Sequence, residues 1–180
     1  MTDDVRIHGI ITDGGAAPNI VPDHASALFY VRALDDDYCD RVLGRVMDCA
    51  RGAALATGAE VKLELQGAYK SLRTNMPLAL AFKDNLEALG WEFDQVDPKE
   101  RLGSTDMGDV SHVAPAIHPY LSIGPAELAG HSVEFRAAAR SREGLAAMLA
   151  AAKALAMTAL DVLFRPQLRE EIRRAFLAGG

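Results

Sequence analysis

The order of elements in the first third of the chain constrains its fold most. Val5 to Ile11 reads Val-Arg-Ile-His-Gly-Ile-Ile, a strand-like run. It stops at Thr12-Asp13-Gly14-Gly15, a turn signal with two residues free to take positive φ. The prolines of Pro18-Asn19-Ile20-Val21-Pro22 then hold the backbone extended and deny it a helix. Ser26 to Arg32 reads as a second strand. Asp35-Asp36-Asp37 places acids where a helix N-terminus favours them, and a helix is predicted from there to about Thr57, with Gly58 as its stop. Cys39, Val42, Leu43, Val46, Cys49, Ala50 and Ala53 keep helical spacing along it. Val61 to Gln66 alternates apolar and polar, which predicts a strand with one face buried. Strand, strand, helix, strand is three-quarters of a split βαβ unit, which normally begins with one more strand and a helix. The missing opening pair implies a chain that starts mid-domain.

After Arg73-Thr74-Asn75 the pattern changes. Leu78 to Leu89 is predicted as a short helix with Ala79, Phe82, Leu86 and Leu89 on one face, ended by Gly90. Trp91 to Val96 reads as a short strand. Residues 98 to 132 are dense in Gly, Pro, Ser, Asp and His, with one strand-like run near Tyr120-Leu121-Ser122-Ile123. Polar punctuation of that kind belongs to site-bearing loops more often than to core. From Ser141 a long helix is expected to about Phe164. Its core stripe is Leu145, Met148, Leu149, Ala152, Leu155, Ala156, Ala159, Leu160 and Leu163. Pro166 ends it, and Leu168 to Leu177 forms a last amphipathic turn or two.

Composition removes several classes. Of 180 residues, 49% are hydrophobic and 24% charged, which excludes a mainly disordered chain. The formal charge of −6 lacks the basic face that phosphate contacts need, so no nucleic-acid partner is expected. Gly144 to Phe164 is the one membrane candidate. Lys153 and Asp161 would together cost roughly 5–7 kcal/mol to insert, so no membrane partner is expected and the segment reads as a buried helix. The acidic start Met1-Thr2-Asp3-Asp4 is not a secretory signal. Cys39 and Cys49, about 15 Å apart along one helix, cannot bridge each other, and free thiols suit a cytoplasmic setting.

Two groups of residues stand out chemically. Asn19 in the Gly-Gly-x-x-Pro-Asn-Ile-Val-Pro segment and Arg32 at a strand end would make a carboxylate receptor, since a guanidinium binds both oxygens in one plane. The plainer alternative has Asn19 capping a turn and Arg32 pairing with Asp35 to Asp37. The second group runs from Gly103-Ser104-Thr105-Asp106 through His112, then Ile117-His118-Pro119-Tyr120, to His131-Ser132. It suits a metal or oxyanion site, or a set of capped turns. The five histidines His8, His24, His112, His118 and His131 form no close pair and no complete local metal motif. Each taken alone serves most often as a surface or packing residue.

In combination, Gly-Gly-x-x-Pro-Asn-Ile-Val-Pro, Val31-Arg32, Gly-Ser-Thr-Asp and His-Ser resemble the second half of the peptidase family M20 amidohydrolases. Ile7-His8-Gly9-Ile10-Ile11 and Gly103 to Ser111 look closest to its aminoacylase-1-like branch. The resemblance implies an α/β (α+β) fold. Residues 1–72 would be an incomplete ferredoxin-like lid or dimerisation domain, and 73–180 the C-terminal part of a zinc-peptidase-like α/β catalytic domain. It implies hydrolysis of an N-acyl amino acid or small dipeptide by a water bound to two divalent metals, usually zinc, within a homo-oligomer. By matching motifs, Asn19 and Arg32 would hold the substrate carboxylate, Gly103, Ser104, Thr105 and Asp106 would border the pocket, and His131 would be a metal ligand. His8, His112 and His118 match the closer branch only and would line the site. The family's remaining ligands and its general base have no counterpart in this sequence. One histidine cannot hold a catalytic zinc, so the chain alone is expected to keep no metal and to be inactive, with the missing N-terminal half as a partner. The alternative is a non-catalytic dimerisation or interaction module derived from the lid.

Overall fold

A computed structural model describes residues 1–93 and 104–179. Over these the chain is mixed α/β, with two strands and six helices, and it divides into two compact units, Met1–Ser71 and Leu72–Gly180.

In the first unit, β1 (Arg6–Asp13) and β2 (Ser26–Arg32) form an antiparallel hairpin, with Arg6 opposite Arg32 and Asp13 opposite Ser26 at its two ends. Gly9 lies opposite Phe29 because a Cβ there would collide with the phenyl ring. Helix α1 (Asp36–Thr57) starts on the Asp35 side chain, which accepts from the Tyr38 N–H at 2.7 Å. It stops at Gly58, whose φ of 71° is the left-handed conformation that favours glycine. Val42 is its buried residue, and the Asp36 carboxylate accepts from the Ser71 N–H at 2.8 Å.

The strand expected at residues 61–66 is not formed: the segment is exposed and paired to nothing in the two-stranded sheet. Alternation supplies the side chains of a strand, but the strand itself is a ladder and needs a neighbouring edge. In a split βαβ unit, that edge belongs to the opening strand, which would lie between β2 and this segment.

In the second unit, α2 (Met76–Ala88) and α5 (Arg142–Phe164) pack together around Phe82, Leu86, Ala150 and Ala154. Helix α6 (Pro166–Leu177) adds Leu168 and Ile172 against Ala81. Pro166 thus opens α6 as well as closing α5, at a position where its missing N–H costs nothing. Asn85 clasps α2 to α5, donating to Thr158 Oγ1 at 3.1 Å and to Asp161 Oδ2 at 2.8 Å. Two short helices complete the unit: α3 (Met107–Val113), inside the stretch read as loops, and α4 (Val133–Ala139), just beyond it. The Tyr120 to Ile123 run is not a strand, nor are residues 91–93; the rest of the strand expected at Trp91 to Val96 lies outside the described residues.

The burial of α5 reverses the expectation. Gly144, Ala147, Ala150, Ala154 and Thr158 face inward, while the Leu and Met stripe lies on the opposite, exposed side. Small residues let α5 approach its neighbours closely, and a Cβ on Gly144 would collide with the Ala138 carbonyl.

Asn75 closes this unit. It is 2% exposed, its Oδ1 accepts from the Leu78 N–H at 3.2 Å to cap α2, and its Nδ2 donates to the Ile172 carbonyl at 2.9 Å. Asn75→Ala removes the cap and leaves buried polar groups unpaired. The expected loss is about 3 kcal/mol of stability, read from the urea midpoint at unchanged slope.

Candidate functional site

The first unit carries Asn19, Arg32 and His8. Asn19 sits in the loop joining β1 to β2, beyond the Asp13–Ser26 end, and is exposed. Arg32 ends β2 at the other end of the hairpin, about 20 Å of strand away. It is half-buried, with its guanidinium 5.8 Å from the centre of the Tyr30 ring. That distance is within cation–π reach of the ring. Asn19 thus belongs to the loop of the hairpin and Arg32 to the end of β2. His8 is exposed and lies opposite Tyr30 on β1.

Of the thiols, burial pushes Cys39 up from its ordinary pKa, and the Asp40 and Asp36 carboxylates add to that, so it stays a protonated, poorly nucleophilic group. Cys49 is exposed. Brief maleimide treatment followed by peptide mass mapping should label Cys49 well before Cys39.

The second unit carries the rest. Gly103 lies outside the described residues. Ser104, Thr105 and Asp106 lead into α3: the Thr105 hydroxyl accepts from the Met107 N–H at 3.3 Å and donates to the Asp106 carboxylate at 3.4 Å. These residues therefore form a helix start, with Ser104 and Asp106 exposed. Ser111 holds α3 in place; it is 1% exposed, donates to the Gly108 carbonyl at 2.6 Å and accepts from the Arg73 N–H at 3.0 Å. His112, at the end of α3, is half-buried.

His118 follows the Thr74–Ala116 bridge and rests on Tyr120, their ring centres 4.9 Å apart. Its Nδ1 is buried and has no hydrogen-bond partner. Tyr120 also lines an open cavity of about 780 Å³, together with Glu127, His131, Ser132, Phe135 and Arg136. The cavity thus joins the Tyr120 segment to the His131-Ser132 turn, which the sequence groups only by motif order.

His131 has a φ of 62° and is the only non-glycine residue with positive φ among those described. L-residues pay roughly 1–2 kcal/mol for the left-handed region. The turn is fixed by Ser132, whose hydroxyl donates to the Ala129 carbonyl at 2.8 Å and accepts from the Phe135 N–H at 3.0 Å to cap α4. This strain is the site feature that sequence reasoning missed, since a motif match carries no backbone angle. His131→Gly should relieve it, leaving the thermal midpoint of the chain unchanged or higher, whereas His131→Val should lower it. A clear loss of thermal stability in the glycine variant would count against a strained turn.

Among the described residues, no three His, Cys, Asp or Glu side chains come together as a metal-holding group. A catalytic ion needs about three protein ligands, so the described residues do not by themselves fit a metal centre.

Comparison with known proteins places the chain. No family model matches it. It is 42% identical over 174 residues to the Xaa-Arg dipeptidase of Mus musculus, and 43% identical over 175 residues to that of Homo sapiens. Each match covers 95% of this chain and 40% of the relative, so the chain spans about 40% of the length of these proteins. It is also 30% identical over 104 residues to one of the subunits of the p-aminobenzoyl-glutamate hydrolase of Escherichia coli (strain K12), a match covering 56% of the chain and 22% of the relative. These relatives are named as dipeptidases and as a hydrolase subunit. The dipeptidases among them are of the M20, aminoacylase-1-like kind that the motifs of this chain resemble.

Proposed function

We propose that the chain is the C-terminal portion of a metal-dependent amidohydrolase that splits the amide bond of an N-acyl amino acid or small dipeptide. The observation that carries this reading is the likeness to two dipeptidases along 95% of the chain. The strained His131 turn beside the Tyr120 cavity supports it, because strain of this kind gathers at functional positions. Residues 1–72 act as part of a lid or dimerisation domain, residues 73–180 as part of the catalytic domain, in a homo-oligomer within the cytoplasm.

Arg32, within cation–π reach of Tyr30, grips the substrate carboxylate from the lid side. Asn19 contributes to the same recognition. Gly103, Ser104, Thr105 and Asp106 border the pocket, with His8, His112 and His118 around it. His131 is one ligand of a zinc or other divalent ion whose remaining ligands, together with the general base, lie outside this chain. A single donor holds no ion, so the isolated chain hydrolyses nothing. A non-catalytic dimerisation module is the second reading, and the absence of a metal-holding cluster among the described residues is what favours it.

The test joins the chain to the part of the Mus musculus relative that it does not match. The isolated chain should release no amino acid from any N-acyl amino acid or dipeptide, with or without added zinc or manganese. The joined protein should turn over, and chelator should stop it. In it, His131→Ala should lower metal content and turnover together. Arg32→Ala should keep the metal and lose on the order of a hundredfold in kcat/KM for carboxylate-bearing substrates, with Arg32→Lys recovering part of that loss. Asn19→Ala should act in the same direction as Arg32→Ala, with a smaller effect. Chelator-sensitive turnover by the isolated chain would overturn the assignment, and so would loss of metal in Arg32→Ala.

A further inference from the structure

One face of the hairpin carries more chemistry than Arg32 alone. Directly opposed residues of an antiparallel pair project to the same side, and every second residue along each strand joins them. The register therefore puts Arg6 with Arg32, His8 with Tyr30, and Ile10 with Leu28 on one face, as three successive pairs. No carboxylate stands among these six residues. His8 is the member of the row with no task inside the unit. It is exposed and has no hydrogen bond or ion pair with any described residue. The Arg6 guanidinium, by contrast, is held by the Asp3 and Val5 carbonyls at 2.6 and 3.0 Å. The position of His8 is secured from the other face of the strand. A Cβ on Gly9 would collide with the Phe29 ring, so this pair admits nothing larger, and a slip of one residue would turn His8 away from Arg32.

We infer that His8 is a second hydrogen-bond donor to the substrate carboxylate, standing beside Arg32 across the Tyr30 ring. The inference rests on the reading of Arg32 as the residue that grips that carboxylate, and it adds a residue to the grip. His8 faces Tyr30, and Arg32 lies two residues further along β2, so the two are diagonal neighbours on one face. Such neighbours stand about 7–8 Å apart, within reach of long and aromatic side chains. Both can close on a group held between them. A carboxylate suits that gap, because its two oxygens together accept about four hydrogen bonds and a bidentate guanidinium uses only two. Imidazole supplies an N–H for a further one in its neutral and its charged form alike. The Tyr30 ring, 5.8 Å from the Arg32 guanidinium, lies beneath and offers an apolar floor to the residue that bears the carboxylate. A metal ion is the other ligand that an exposed imidazole attracts, but the charged neighbours of His8 on this face are guanidinium groups, which repel a cation. Both donors sit on paired strands, which hold a binding geometry more firmly than a loop does.

The test reads His8 and Arg32 separately, so the inference can fail while the role of Arg32 stands. The full chain, labelled with a nitrogen isotope, is titrated with N-acetylglycine and in parallel with its uncharged amide, N-acetylglycinamide. Nuclear magnetic resonance follows the side-chain nitrogens of both residues. N-acetylglycine should shift the His8 ring nitrogens and the Arg32 Nε together, and the amide should shift neither. His8→Ala should keep the circular dichroism of the chain and bind N-acetylglycine roughly tenfold more weakly. His8→Gln should stay within about threefold of the original chain, since its side-chain amide still donates. In the joined protein, His8→Ala should raise KM about tenfold for carboxylate-bearing substrates at unchanged kcat, the mark of a residue that binds without entering the reaction. A response of Arg32 without His8 would overturn the inference and leave the reading of Arg32 in place. A response of neither would overturn both. Equal shifts with the amide, or a fall in kcat at unchanged KM, would also overturn the inference.

Discussion

Three consecutive residues hold the second unit together, and the chief of them is Asn75. Its side chain caps α2 and reaches the α6 carbonyl of Ile172, 97 residues away in sequence, while its backbone N–H donates to Ala116 at 3.0 Å. Thr74 bridges Ala116, and Arg73 gives its N–H to Ser111 and its guanidinium to the Gly179 carbonyl. The Arg73-Thr74-Asn75 step therefore fixes α3, the approach to His118 and the end of α6 at once. An amide suits the central position because it accepts and donates in one buried volume, where a carboxylate or an apolar group leaves one partner unsatisfied.

What the sequence discloses of this fold is local. Asp35, Ser141 and Gly58 announce helix ends because capping is decided within four residues. The hairpin is legible from its strands and its Gly-Gly turn. The segment at 61–66 is misread because its alternation is real while its partner is not in the described sheet. The inward face of α5 is misread for a different reason. Both faces are apolar, periodicity cannot rank them, and the larger side chains favour the wrong one. The short helix α3 is masked by glycine, serine and histidine, each a poor helix former whose effect here is offset by the Ser111 contact.

The candidate site is legible to a different degree in its two halves. Residue types and spacing single out Asn19 and Arg32, while their placement in a loop and at a strand end is a matter of register that no motif encodes. The order from His118 to His131 is plain in the sequence. That Tyr120 and His131 share a cavity, and that His131 occupies left-handed backbone, are properties of the folded turn. Ser132 explains how the turn persists: two hydrogen bonds from one hydroxyl, one to each side of the bend, offset a strain of similar size.

The same kind of incompleteness recurs at three scales. Among the described residues, 61–66 have the side chains of a strand and no ladder, α5 has a core-like face with no layer against it, and His131 is a strained donor outside any metal-holding cluster. A free-standing interaction module would be expected to bury its large apolar residues and leave its small ones outside, because burial of large side chains contributes most of the stability of a small domain. The arrangement on α5 is the reverse. It costs the chain apolar exposure along an entire helix, and this is offset only if another layer covers it. The hydrophobic effect thus weighs on the functional question through packing alone: it favours a chain that completes its fold, and with it a site, in company with further sequence over a chain that acts as a module by itself.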